Sequence, residues 1–325
     1  MEFHIQVLLI SMVVSIILGI ITIPILKHLK VGQIERSDGP KSHLSKQGTP
    51  TMGGVIIAVT LIIICLFLYF KFKVQNVQIA EKILVLLLVT IGFGLVGFVD
   101  DFKKLVLKDT EGLKPLYKMA GLSIVAVVYV LFIVFIHKLG TDIYLPFIKQ
   151  YLTLPIWLYI PFAIVVMLAT TNAVNLTDGI DGLSTTVTTI IITCLTVISI
   201  IWQMPEVTFF GSCLIGACLG FLVFNLHPAK VFMGDTGSLL LGGTIAAISL
   251  YLKNPLILVI IALIPVIETI SVIFQVLYFK KTGKRIFKMA PIHHHFELSG
   301  WSENKVVSIF GIATLILCLI GLYSI

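Results

Sequence analysis

Ten long apolar runs punctuate the chain, near Ile5–Leu26, Gly54–Phe70, Ile83–Val99, Met119–Ile136, Leu154–Leu168, Leu183–Trp202, Val207–Leu226, Gly237–Leu252, Leu256–Tyr278 and Val306–Tyr323. Runs of about 17–23 apolar residues match a hydrocarbon layer of about 30 Å at about 1.5 Å of helical rise per residue. Lipid offers the backbone no water to bond, so helices are the expected spanning structure. The pattern predicts an all-α polytopic membrane protein with about ten transmembrane helices, read as a single domain over residues 1–325. The fifth run, with Pro161, and the glycine-rich eighth are the weakest members of the series.

The polar connections come in two kinds. Every second one is rich in Gly, Asp, Asn, Lys and His: Val31–Gly53, Asp100–Lys118, Thr171–Gly182, His227–Thr236 and Phe279–Asn304. Consecutive spans alternate direction, so these five emerge on one face of the bilayer. Of the 23 Lys and Arg residues only Lys71, Lys73, Lys82, Lys138, Lys149 and Lys253 belong to the opposite face. The positive-inside rule then places the motif-bearing face in the cytoplasm and both termini outside. An active site is expected on that cytoplasmic face.

Composition agrees: 58% of residues are hydrophobic, 12% are charged, and the mean hydropathy is +1.08. The net charge of +7 is mostly topological, and no nucleic-acid partner is expected, although some lysines are placed to meet anionic lipid or substrate phosphate. Met1–His4 lacks a basic stretch, so the first run is read as retained rather than cleaved. Cys65, Cys194, Cys213, Cys218 and Cys318 all fall in apolar runs without metal-ligand spacing, as small buried hydrophobes do.

Five motifs carry the chemistry. The first loop, Gly39–Gly54, has Lys41 and Lys46 for phosphate and Thr51 at a helix start. Asp100 and Asp101 stand where the third run ends, against the helix macrodipole, as a pair able to hold a divalent cation or act as a base. Lys104 and Lys118 follow as point charges for phosphate. The third loop packs Asn172, Asn175, Asp178, Gly179, Asp181 and Gly182 between two spans, offering backbone amides to phosphate and carboxylates to a metal or ribose. It lacks the EF-hand spacing.

In the fourth loop, Asp235 at a helix start could bind Mg²⁺ or simply cap the helix, while Phe232 offers a plane for a base. His293, His294 and His295 are consecutive, so they cannot converge on one tetrahedral zinc; one of them bonding a nucleobase or phosphate is the expectation. Glu268 lies deep in the ninth run and is expected to bridge helices, and a break at Pro265 would be one way to open a lipid groove.

The strings GTPTMGG, VDDFKK, NAVNLTDGIDGL, FMGDTGSLLLGG, PVIETISVI and APIHHHFEL, spread in order over nearly the whole chain, resemble the phospho-N-acetylmuramoyl-pentapeptide-transferase family. That family is a branch of the polyprenyl-phosphate N-acetylhexosamine-1-phosphate transferases. The resemblance implies a bacterial cell-membrane enzyme that transfers phospho-MurNAc-pentapeptide from its UDP carrier to undecaprenyl phosphate, with Mg²⁺. It further implies Asp235 as the metal ligand, Asp100 and Asp101 completing the acidic site, and Lys46, Lys104 and Lys118 holding phosphates. The uridine pocket would comprise Asn175, Asp178, Gly179, Ile180, Asp181, Asn225, Phe232 and one histidine, with His294 the first choice. A homodimer is the family expectation. A sister transferase using UDP-GlcNAc is the nearer rival; a transporter is disfavoured, because only Glu268 among the ionisable residues lies clearly at mid-span.

Overall fold

The computed structural model describes residues 2–28, 46, 48–105, 107 and 112–325. Most of the first loop, including Lys41, lies outside them. The chain runs through α1 (Phe3–His28), α2 (Gly54–Gln75), α3 (Val77–Leu105) and α4 (Pro115–Leu131), which ends in a π-turn at Phe132–Ile136. Two short strands follow, β1 (Asp142–Leu145) and β2 (Gln150–Thr153), paired antiparallel with Asp142 opposite Thr153. Then come α5 (Ile156–Thr177), α6 (Leu183–Ile201), α7 (Pro205–Asn225), α8 (Gly234–Tyr251), α9 (Leu258–Ile261), α10 (Leu263–Thr282), α11 (Ile292–Glu297) and α12 (Glu303–Tyr323).

Nine helices among the described residues are long and apolar enough to cross a membrane: α1 to α7, α10 and α12, with α4 counted through its π-turn. Helix α8 is the exception, and its surroundings explain why. Every residue from Thr236 to Tyr251 is buried. A helix wrapped by protein needs no lipid-compatible face, so it can carry Gly, Ser and Thr at backbone contacts. Helix α8 packs on α3, α5 and α2, and a Cβ on Gly243 would run into the Phe93 ring.

Helices α1 and α7 pair in the same way. Ser11 and Ser15 of α1 face Gly216 and Gly220 of α7, and their hydroxyls donate to the carbonyls of Cys213 at 2.6 Å and Ala217 at 2.8 Å. The other side of α1 turns Leu9, Ile10, Val13, Ile17, Ile20 and Ile21 outward.

Two expectations need correction. The ninth run is not one continuous helix: Asn254 and Pro255 open a 3₁₀ turn at Pro255–Ile257, α9 follows, and the chain bends at Ala262 before α10. Pro265 therefore sits in the first turn of α10, where a missing amide costs little, and not at the break. The all-α expectation also missed the β1–β2 hairpin. Ion pairs place Asp142 against Lys253 and Lys82 against Glu206 at the end of the bundle opposite the motif loops.

Candidate active site

The described parts of the five polar connections meet at one end of the bundle, four of them around the start of α8 and the fifth through Glu303 on Lys46. Gly234 has a φ of 71°, and a Cβ there would lie 2.7 Å from Asp101 Oδ2 and 2.8 Å from Thr51 Oγ1. Glycine alone lets the chain turn this closely between them. Asp101 accepts from Asp235 N at 3.1 Å, Thr236 N at 2.8 Å and the Thr236 hydroxyl at 2.6 Å. The carboxylate that opposes its own helix dipole thus caps the N-terminus of α8, where negative charge is favoured. Helix α3 runs six residues past the expected end at Val99 and brings Lys103 and Lys104 into its last turn, which suits that dipole.

Asp100 and Asp235 share two cations. Lys104 Nζ donates to Asp100 Oδ2 at 2.8 Å and to Asp235 Oδ2 at 2.9 Å. Lys118 Nζ lies 3.0 Å from Asp235 Oδ2 and 3.4 Å from Asp100 Oδ2. Leu113 N donates to Asp100 Oδ1 at 2.7 Å, so this carboxylate also meets the backbone just before α4. Asn175 Nδ2 donates to Asp235 Oδ1 at 2.7 Å and to Ser238 Oγ at 2.8 Å. Asp178, just past α5, has its carboxyl pushed up to about 8 by burial and then by the charges of Asp235, Asp101 and Asp181. Lys104 and Lys118 supply the positive charge that carboxylates this crowded need, and the hard oxygen donors around Asp235 are of the kind that Mg²⁺ takes.

A second polar knot lies beside the first. Lys46 Nζ bonds Asp181 Oδ1 at 2.7 Å and Glu303 Oε2 at 2.6 Å. Burial works against the Lys46 ammonium, but the bonds and charges of Asp181 and Glu303 outweigh it and its pKa is raised. Asp181 Oδ2 accepts from Ala229 N at 3.1 Å and lies 2.9 Å from His227 Nδ1. Asp181, His227 and Glu303 offer ligand atoms within 4.8 Å of one another, so metal-binding geometry exists here as well. The Lys46 ammonium neutralises two of the three, just as Lys104 and Lys118 neutralise Asp100 and Asp235, so both acidic clusters are charge-compensated by lysine.

The three histidines go three ways. His293 is fully buried, its Nδ1 is 3.1 Å from Glu268 Oε1, and its Nε2 faces Gly179 so closely that a Cβ there would collide with it. His294 Nδ1 meets Glu297 Oε2 at 2.8 Å, and His295 Nδ1 accepts from Lys288 N at 3.1 Å. His293 thus packs on the third loop, and Glu268 ties α10 to α11 as the bridge expected. Ile180 is buried. Asn225 commits both amide atoms to the protein, accepting from Thr185 Oγ1 at 2.6 Å and donating to Val231 O at 3.0 Å. Phe232 is clamped through its backbone to Pro50 and Gly53, with its ring partly exposed.

Sequence reasoning missed Glu303 and His227. Glu303 reads as an ordinary acid in a helix first turn, since Ser302 caps α12 by accepting from Lys305 N. Nothing local announces a bond to Lys46, 257 residues away.

A helical membrane bundle with a carboxylate–lysine centre at one end suits charge-rich group transfer, and residues 83–253 match the family described as glycosyl transferase family 4. Residues 46–57 match a phospho-N-acetylmuramoyl-pentapeptide-transferase signature. A phospho-N-acetylmuramoyl-pentapeptide-transferase of Acetivibrio thermocellus is 47% identical over 323 residues, covering 99% of this chain and 95% of the relative. Its counterpart in Caldicellulosiruptor bescii is 47% identical over 97% of this chain and 95% of its own, and one from Clostridium botulinum is 48% identical over 97% and 94%. The chain belongs to the phospho-N-acetylmuramoyl-pentapeptide-transferase family and is an enzyme of that class.

Proposed function

We propose that this enzyme transfers phospho-MurNAc-pentapeptide from UDP-MurNAc-pentapeptide to undecaprenyl phosphate, releasing UMP and forming lipid I, the first membrane step of peptidoglycan synthesis. The near-full-length likeness to relatives of that name carries the reading. The acid–lysine centre supports it, because attack of one phosphate on another gathers negative charge that positioned cations must offset. The enzyme acts as one domain crossing the bacterial cell membrane ten times, α8 included. The count of basic residues supports a cytoplasmic catalytic end and outer termini.

Within the site, Lys104 and Lys118 bind phosphate oxygens, and Asp235, with Asp100 and Asp178 beside it, holds Mg²⁺. When bound, Mg²⁺ supplies Lewis-acid neutralisation of the diphosphate. Asp181, Gly179, Ile180, Phe232 and His293 shape the nucleotide pocket, with Lys46 and Thr51 at its edge.

The attacking lipid phosphate is largely dianionic at neutral pH and needs little help from a base. Asp100, covered by Leu113 N and two ammonium groups, is poorly exposed as a nucleophile, which favours direct attack over a covalent phospho-enzyme. The deciding assay is UMP release by purified enzyme with undecaprenyl phosphate and Mg²⁺, beside Asp235→Ala. Lipid-dependent release lost in the variant is expected. Release from UDP-GlcNAc and not from the muramoyl donor would move the enzyme to the sister branch, and no release from either would refute the reading.

A further inference from the structure

Helix α10 leaves the protein after Ser271: Ile273, Phe274, Val276, Leu277, Tyr278 and Phe279 are all exposed. Apolar side chains exposed around a helix in this way require lipid. At its end the chain does not trail off. Gln275 Oε1 accepts from Ile286 N and Phe287 N, both at 3.0 Å, and Gln275 Nε2 donates to Phe287 O at 3.1 Å, folding the following segment back on α10 as a hook. Lys288 Nζ donates to Leu298 O at 2.9 Å and pins its far side.

Between hook and helix lies a cavity of about 340 Å³ lined by Gln275, Val276, Phe279, Lys280, Arg285, Met289 and Ala290. Its floor is apolar and its two charged groups are cations. Residues 279–288 hold five Lys or Arg and no acid, and among the described residues none of the five lies within ion-pair distance of a carboxylate. A pocket with cations beside an apolar wall, set in lipid, fits an amphiphile with an anionic head rather than a free ion. We propose that this hook is a binding site for an anionic phospholipid of the surrounding leaflet, with Lys280 and Arg285 on its phosphate and Val276, Phe279 and Met289 against its glycerol and upper chains. The proposal does not rest on the identity of the enzyme's substrates.

The test is native mass spectrometry of the full-length protein titrated with phosphatidylglycerol and with phosphatidylcholine. The parent binds phosphatidylglycerol more tightly. Lys280→Gln with Arg285→Gln weakens it about thirtyfold, as expected for two cations near an anionic head, and leaves phosphatidylcholine unchanged. Gln275→Leu, which frees the hook and keeps every cation, weakens it comparably, whereas Lys281→Gln with Lys284→Gln changes it less than about threefold. Equal losses in both double variants, or no effect of Gln275→Leu, would mean diffuse surface charge and overturn the proposal. So would displacement by inorganic phosphate, or selective binding of undecaprenyl phosphate with no preference for phosphatidylglycerol.

Discussion

Replacing Gly97 by Ala should disable catalysis without removing a single polar group. Gly97 of α3 lies against the first turn of α8, and a Cβ there would meet the Asp235 carbonyl and sit 2.7 Å from Thr236 N. Ordinary contact begins at 3.4 Å, so this backbone must retreat by about 0.7 Å at Thr236 and further at Asp235. Neither neighbour is a flexible side-chain tip that could turn aside. The Asp235 carboxylate moves with its backbone, away from Lys104 and Lys118, which hold it at 2.9 and 3.0 Å. A displacement approaching 1 Å costs about 100-fold in rate, or about 2.7 kcal/mol of barrier. Overpacking adds about 1–3 kcal/mol of lost stability. UMP release at saturating substrates measures the rate, and Gly121→Ala serves as control, because its Cβ would meet only the Val96 side chain at 3.2 Å. The control should stay within about twofold of the parent. If Gly97→Ala, folded and melting normally, keeps kcat within about threefold of the parent, the geometric argument is wrong.

Three further outcomes follow from the site. Lys46→Met leaves Asp181 and Glu303 buried without their cation and should cost about 3–5 kcal/mol, read as a lower melting temperature in detergent; adding Glu303→Gln should recover part of it, and strict additivity would show the pair is uncoupled. Glu268→Ala strips the buried His293 of its partner at a cost of about 1–3 kcal/mol and should raise the donor KM more than it lowers kcat; an unchanged KM would mean His293 does not shape the nucleotide pocket. Asp178, with its pKa raised to about 8, binds its proton more tightly folded than unfolded, so its contribution lowers stability as pH climbs from about 4 and levels off above about 8. In EDTA, Asp178→Asn should therefore melt higher than the parent at pH 8 and alike at pH 4, while losing activity; a variant less stable at pH 8 would contradict the sign.

What the sequence made legible follows from what is local. Spans such as α2, α6 and α7 stand out because lipid demands apolar runs, and Asp100, Asp101 and Asp235 stand out because carboxylates at membrane edges have few bland uses. The partnering of these groups is non-local and was hidden. Asp101 looked like a metal ligand or base, yet it caps α8, 134 residues on. Among three identical neighbours, only the folded geometry shows that His293 packs against Gly179. Glu303 is masked by its own helix start, and four-residue strands such as Asp142–Leu145 are too short for an alternation to register.

The enclosure of α8 bears on how the protein is made. Alone, a helix carrying Asp235, Thr236, Ser238, Thr244 and Ser249 has a poor claim to partition from the insertion machinery into lipid. Its packing partners α2, α3 and α5 all precede it in the chain, so the groove that receives it is synthesised before it emerges. Insertion of α8 is then an act of docking between protein surfaces. The acid–lysine cluster at the start of α8, which the proposed function makes the catalytic centre, can form only once the earlier helices have assembled.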